Sequence, residues 1–233
     1  MRLDELVKQL IDAYGDTLRS VLLYGSAVAG EQHTKRSNYN VAVIVDEFPL
    51  DRLRATSTVA RAWNEAGNPP PMTFTTREWQ TSADVFPMEY ADILERHHVL
   101  YGEPPFAGIS VDRADLRLQT EHQALAIVFR LRQATLLAGT DWKAQLRLLT
   151  GSLSSVMILL RAVLRLHGLT PSQNYAELVR DTATEAGFDP QAFYDVIHHI
   201  RNERAIEKDR IGAVLAGYLL GMETVAAHVD GLS

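Results

Sequence analysis

The 233-residue chain carries 23 Lys and Arg against 29 Asp and Glu, a formal net charge of −6, with 46% hydrophobic residues. This is the balance of a globular protein with one or two domains; it excludes a disordered or fibrous chain, and the spread negative charge argues against nucleic acid as a partner. Cysteine is absent, which excludes disulfides, thiolate metal sites and Cys nucleophiles and suits a reducing cytoplasm, the expected location.

The opening MRLDELVKQLIDAYG reads as an acidic amphipathic helix over about residues 2–14, unlike a secretory signal. Ser20–Tyr24 (SVLLY) is a short apolar run halted by Gly25, the pattern of a buried strand. Val41–Val45 (VAVIV) is apolar and rich in β-branched residues, which predicts a central strand covered on both faces. Residues 51–66 read as a helix, Gly67-Asn68-Pro69-Pro70-Pro71 as a breaker, and Met72–Thr76 as a third strand.

From residue 111 onward the texture is helical. Helices are expected at about 113–138, 143–167, 174–186, 190–204 and 209–229, with Gly139, Gly168 and Gly187 at helix ends and Pro171 and Pro190 just beyond. The first has Leu118, Ala124, Leu125, Ile127, Val128, Leu131 and Leu136 at helical spacing, read as its core face. The second is apolar over most of its circumference, as a central bundle helix would be. The longest apolar run, Val156–Leu160, falls short of the ~20 residues that cross a bilayer, so no membrane partner is expected. The fold class is therefore α+β: a small mixed-sheet domain over 1–110, then a helical bundle over 111–233, with the boundary near Gly108–Asp112.

The informative stretch is Leu22–Asp46, LLYGSAVAGEQHTKRSNYNVAVIVD. A strand ends in Gly25-Ser26, a helix-sized segment follows, and Ser37-Asn38-Tyr39-Asn40 leads into the next strand. This resembles the polymerase-β-like nucleotidyltransferase superfamily, whose hallmark is strand, Gly-Ser, short helix, then Ser-Asp-x-Asp on the following strand. The segments Asp84–Tyr90 (DVFPMEY) and Glu95–Gly102 (ERHHVLYG) resemble the close of the catalytic domain in bacterial members, after which a helical domain akin to that of aminoglycoside nucleotidyltransferases follows.

The resemblance implies that Gly25 lets a triphosphate approach the backbone, with Ser26, Lys35, Arg36 and Ser37 as candidate phosphate contacts. It also places the two metal-binding Asp on Asn38 and Asn40. Two residues apart on a strand share a face, so two carboxylates there would hold Mg²⁺, which neutralises phosphate charge. Two Asn take that charge from −2 to zero, and hard Mg²⁺ prefers anionic oxygen. Asp46 lies six residues beyond Asn40, roughly 20 Å along the strand, and cannot substitute. Glu31 is a single acid in the preceding loop. A third carboxylate commonly sits on a neighbouring strand, where Met72–Thr76 offers only Thr.

The expectation is thus a pseudoenzyme: no catalytic residue, no resident metal, no cofactor. A nucleotide or small molecule is expected in the interdomain cleft, and a homo-oligomer or protein partner on the bundle. The alternative is an active transferase moving a nucleoside monophosphate onto a small molecule or protein, which would require Mg²⁺. Asp84 and Glu89 read as structural acids. His97-His98 and His198-His199 are adjacent pairs, not the i,i+4 spacing of helix ligands. Helical partners of nucleotidyltransferase domains include HEPN-type RNases, but Arg201-Asn202 lacks the following His of those enzymes, and Arg161 with His167 lacks the polar neighbour.

Overall fold

The computed structural model describes residues 1–25, 28 and 39–232. Two compact units divide them, Met1–Asp112 and Arg113–Ser233.

The first unit starts with α1 (Leu3–Tyr14), whose Leu6, Leu10 and Tyr14 recur every four residues and are buried. The Glu5 carboxylate accepts the Arg2 backbone N–H at 2.9 Å and closes its first turn. Four strands follow: β1 (Leu18–Tyr24), β2 (Asn40–Val45), β3 (Met72–Thr75) and β4 (His97–Gly102). Their order is β3-β2-β1-β4, with β1 antiparallel to β2 and β4, and β2 parallel to β3. A parallel neighbour needs a crossover, and α2 (Leu50–Glu65) supplies it.

Both sheet faces are covered, so β1 and β2 are apolar almost throughout. Val21, Leu23, Val41, Val43 and Val45 pack against α1 and Trp63 of α2. Leu22, Ala42 and Ile44 face the other way, toward Phe74, Trp79, Tyr90 and Ile93. The last three come from α3 (Thr76–Thr81) and α4 (Pro87–Glu95). Trp79 Nε1 donates to the Pro105 carbonyl at 2.6 Å, and Tyr90 Oη donates to the Trp79 carbonyl at 2.8 Å. These bonds satisfy the polar tips of two buried aromatics. The segments read only by resemblance, Asp84–Tyr90 and Glu95–Gly102, turn out to be the turn into α4 and the strand β4.

The second unit comprises α5 (Arg113–Ala138), α6 (Trp142–Leu166), α7 (Tyr175–Ala186), α8 (Gln191–Ile200) and α9 (Ile211–Asp230). With the four of the first unit they bring the described helices to nine. As expected, α6 is central, packing on α5, α7, α8 and α9. Three expectations need correction. Helix α8 stops at Ile200, four residues early: Asn202 takes a left-handed φ of 57°, and the buried Asp195 carboxylate holds Arg204 at 2.6 Å and Arg210 at 3.2 Å. Those ion pairs pull the following segment back as a loop. On α5, Leu118, Leu125 and Leu136 are exposed, and the buried face is Leu116, Thr120, Ala124, Ile127, Val128 and Leu131. Finally, α6 and α9 are each long and apolar enough to cross a bilayer, a feature that counting uninterrupted apolar residues misses. About half of each is buried inside the fold.

Candidate functional site

The antiparallel register of β1 and β2 sets Tyr24 opposite Asn40. The chain therefore leaves β1 at Gly25 directly beside the residue that starts β2. Gly25 has φ +79°, and a Cβ there would stand 3.0 Å from Asn40 Nδ2. Only glycine accepts both that conformation and that neighbour without strain. The start of β2 is pinned separately. The Tyr39 backbone N–H donates to Oδ1 of the buried Asn68 at 3.0 Å, and the Tyr39 ring lies 6.0 Å from that of Trp63.

Of the residues assigned by resemblance, the structure brings Gly25 and Asn40 together. Ser26, Glu31, Lys35, Arg36, Ser37 and Asn38 lie outside the described residues. Asn40 offers a neutral carboxamide whose nitrogen end stands over Gly25, a poor ligand for a hard dication. Among the described residues no group of three or more His, Asp or Glu is placed to hold a metal ion. The described donors do not fit a two-metal site.

Asp46 lies past the opposite end of β2, where it accepts Arg19 Nε at 2.5 Å; that guanidinium holds its carboxyl below the usual range. Strand β3 starts opposite Ala42, so it presents nothing level with Asn40. Its threonines are engaged locally: Thr75 Oγ1 accepts the Glu78 N–H at 3.1 Å as an N-cap, and Thr73 Oγ1 donates to the Pro71 carbonyl at 3.3 Å.

One feature escaped the sequence reading. The Tyr24 phenol is pushed up to about 12, first by burial and then by the Glu89 and Asp92 carboxylates of α4. Glu89 and Asp92 are i,i+3 on that helix and share a face. The available signal was their spacing, which has meaning only once α4 is known to lie along this end of the sheet. Asp84 acts instead on Tyr90, whose phenol burial also raises. On β4, His97 sits opposite Tyr24, donates Nδ1–H to the Ile93 carbonyl at 2.8 Å, and packs its ring 4.2 Å from Phe106.

In the bundle, His198 and His199 bond to Glu203 and to the Ile206 backbone N–H, so both close the loop after α8. Arg201-Asn202 forms the turn ending that helix. Arg161 is buried with its guanidinium 5.9 Å from the Tyr175 ring, a cation–π contact that accompanies two nitrogens, Nε and Nη2, lacking hydrogen-bond partners.

No protein-family model matches the sequence, and no curated protein matches it. Among solved structures the chain is similar to the crystal structure of spectinomycin adenyltransferase AAD(9) from Enterococcus faecialis with ATP and spectinomycin. The TM-score is 0.57 at 11% identity, over 97% of this chain and 98% of that one. The likeness is one of fold: the polymerase-β-like nucleotidyltransferase arrangement of a mixed four-stranded sheet followed by a helical region.

Proposed function

We propose that this chain uses the nucleotidyltransferase fold to bind a nucleotide or small molecule and lacks metal-dependent nucleotidyl transfer. One observation carries the reading: Asn40, neutral and packed against Gly25, occupies the start of β2 where the superfamily pattern has a metal-binding Asp. The similar adenyltransferase was crystallised with ATP and spectinomycin, which supports a ligand of that class. In this reading phosphate oxygens approach the Gly25 backbone and Ser26, with Lys35 or Arg36 supplying charge and Ser37 a hydroxyl. A cytoplasmic setting belongs to the same proposal and is supported by the lack of cysteine.

The test is incubation with labelled ATP, GTP, CTP and UTP in Mg²⁺ or Mn²⁺, beside calorimetry of the same nucleotides without metal. The expected result is binding without transfer, weakened by salt because exposed phosphate contacts are screened. Gly25→Val should abolish binding by filling the space the phosphate approaches; unchanged affinity in that folded variant would move the site elsewhere. Metal-dependent labelling of the protein or of a small acceptor would establish the active-transferase alternative. That alternative would have to draw carboxylates from outside the Asn pair, and Glu89 and Asp92 beside Tyr24 are the described acids at that end of the sheet.

A further inference from the structure

Helix α5 carries two apolar faces. One, from Leu116 to Leu131, is buried in the bundle. The other is exposed: Leu118 (64%), Leu125 (42%), Phe129 (53%) and Leu136 (82%). At 3.6 residues per turn these four fall within about 20° of one line along the helix, on the side opposite the buried face, over about 27 Å. A surface helix ordinarily turns polar residues outward, and large apolar side chains recurring along one exposed line over this length mark an interaction surface.

The stripe has a symmetry that identifies its occupant. Leu118 and Leu136 lie nine residues either side of Ile127, and Leu125 and Phe129 lie two residues either side. A second α5 laid antiparallel across the stripe, with the two-fold axis level with Ile127, sets Leu118 against Leu136 and Leu125 against Phe129. The same operation repeats both contacts, as an isologous interface requires. We infer that the exposed face of α5 is a homodimer interface in which two copies of this chain pair antiparallel about Ile127.

Charge and area agree with that occupant. The charges flanking the stripe are neutralised within each copy: Arg117 by Glu121 at 2.9 Å and Arg132 by Glu223 of α9 at 2.8 Å. Two identical faces can then meet without burying an unpaired charge. At roughly 150 Å² per fully exposed large apolar side chain, the four residues put on the order of 700 Å² of apolar surface between two copies. The polar side chains flanking the stripe add to this and bring the total toward the ~1,000 Å² of a specific interface. The inference is independent of the nucleotide-binding reading.

The mass of the full chain in solution, by sedimentation or light scattering over a concentration series, tests it. The expected mass is twice 26.0 kDa. Leu125→Glu alone, or Phe129→Lys alone, should weaken the dimer at least about tenfold, because each sets a charge against an apolar side chain. Both changes in one chain should restore it, since each introduced carboxylate then faces an introduced ammonium across the axis. As the chain has no cysteine, Leu118→Cys with Leu136→Cys should also give a disulfide-linked dimer under oxidation; the two sites are about 27 Å apart within one helix and cannot close on themselves. A monomer at every concentration, a dimer indifferent to the single changes, or a double-charge variant no tighter than the singles would each overturn the inference.

Discussion

The two ends of the β1–β2 pair are held by opposite means. At one end Gly25 and Asn40 meet through close backbone approach and a neutral carboxamide. At the other, Arg19 and Asp46 form an ion pair at the surface, and Gly102 of β4 crowds the Arg19 carbonyl. The Gly25 end is therefore shaped by close fit and not by charge. The charged end has no ligand geometry. Strand register and apolar burial set the frame at the Gly25 end, whereas a surface charge pair closes the other.

The comparison breaks most visibly at the glycines. A Cβ on Gly102, at φ +77°, would lie 1.9 Å from the Arg19 carbonyl oxygen, a backbone atom fixed by the sheet. Gly102→Ala should therefore cost more than about 3 kcal/mol, combining backbone strain with overpacking. At Gly25 the obstacle is the movable end of a side chain, so Gly25→Ala should cost about 1–2 kcal/mol, mostly from the left-handed conformation. Urea unfolding of both variants measures this, and equal losses would show that the Gly25 end is as rigid as the other.

Restoring charge should have the next largest effect. The double change Asn38→Asp, Asn40→Asp should lower stability by about 1 kcal/mol without metal, through like-charge repulsion. That corresponds to a fall in Tm of about 2–4 °C for a chain of this size. Mg²⁺ or Mn²⁺ should reverse the loss, because a ligand bound only by the folded state stabilises it. The natural protein should respond little. If it gains as much from metal as the variant, other ligands hold the ion and the pseudoenzyme proposal fails.

Smaller effects come from titration at each end. Tyr24 has its phenol raised from about 10 to about 12, so the folded state keeps a proton that the unfolded state loses. Its contribution is complete below the unfolded value and declines as pH rises from about 10 to 12. Spectroscopic titration should lose one late-ionising phenolate in Tyr24→Phe, while Tyr90 and Tyr218, whose phenols burial also raises, keep theirs. At the other end the Asp46 carboxyl is lowered by Arg19, so its contribution is present above the unfolded value near 3.9 and lost as pH falls through the folded one. The pair is exposed on both sides, so Asp46→Asn should be the mildest change of all, with a difference that shrinks in high salt. A salt-independent loss would mean that the surface pair holds the strand end more firmly than solvent screening allows.

Much of the fold was legible because its signals are local. SVLLY read as a buried strand and VAVIV as a strand covered on both faces, and both are strands of the sheet; Gly25 and Asn40 beside them were singled out by resemblance to a family motif. The apolar circumference of α6 likewise announced a central helix. Counting uninterrupted apolar residues failed on that same helix: interspersed Arg and Ser keep the longest run short while the mean hydropathy of the whole element stays high. The α5 face was misassigned for a related reason. Apolar residues on two opposite faces of one helix look like one long pattern, and composition cannot say which side the bundle covers.

By itself, then, the sequence determined which segments must be buried and where the chain turns. These follow from side-chain chemistry and from periodicities of two and 3.6 residues, which need no knowledge of neighbours. The tertiary structure decided which faces meet. It placed Glu89 and Asp92 where they act on Tyr24, stopped α8 at Ile200 by drawing Arg204 and Arg210 onto Asp195, and left Leu118, Leu125, Phe129 and Leu136 uncovered. Each of these depends on a contact between residues distant along the chain, or on the lack of one, and packing alone sets such distances.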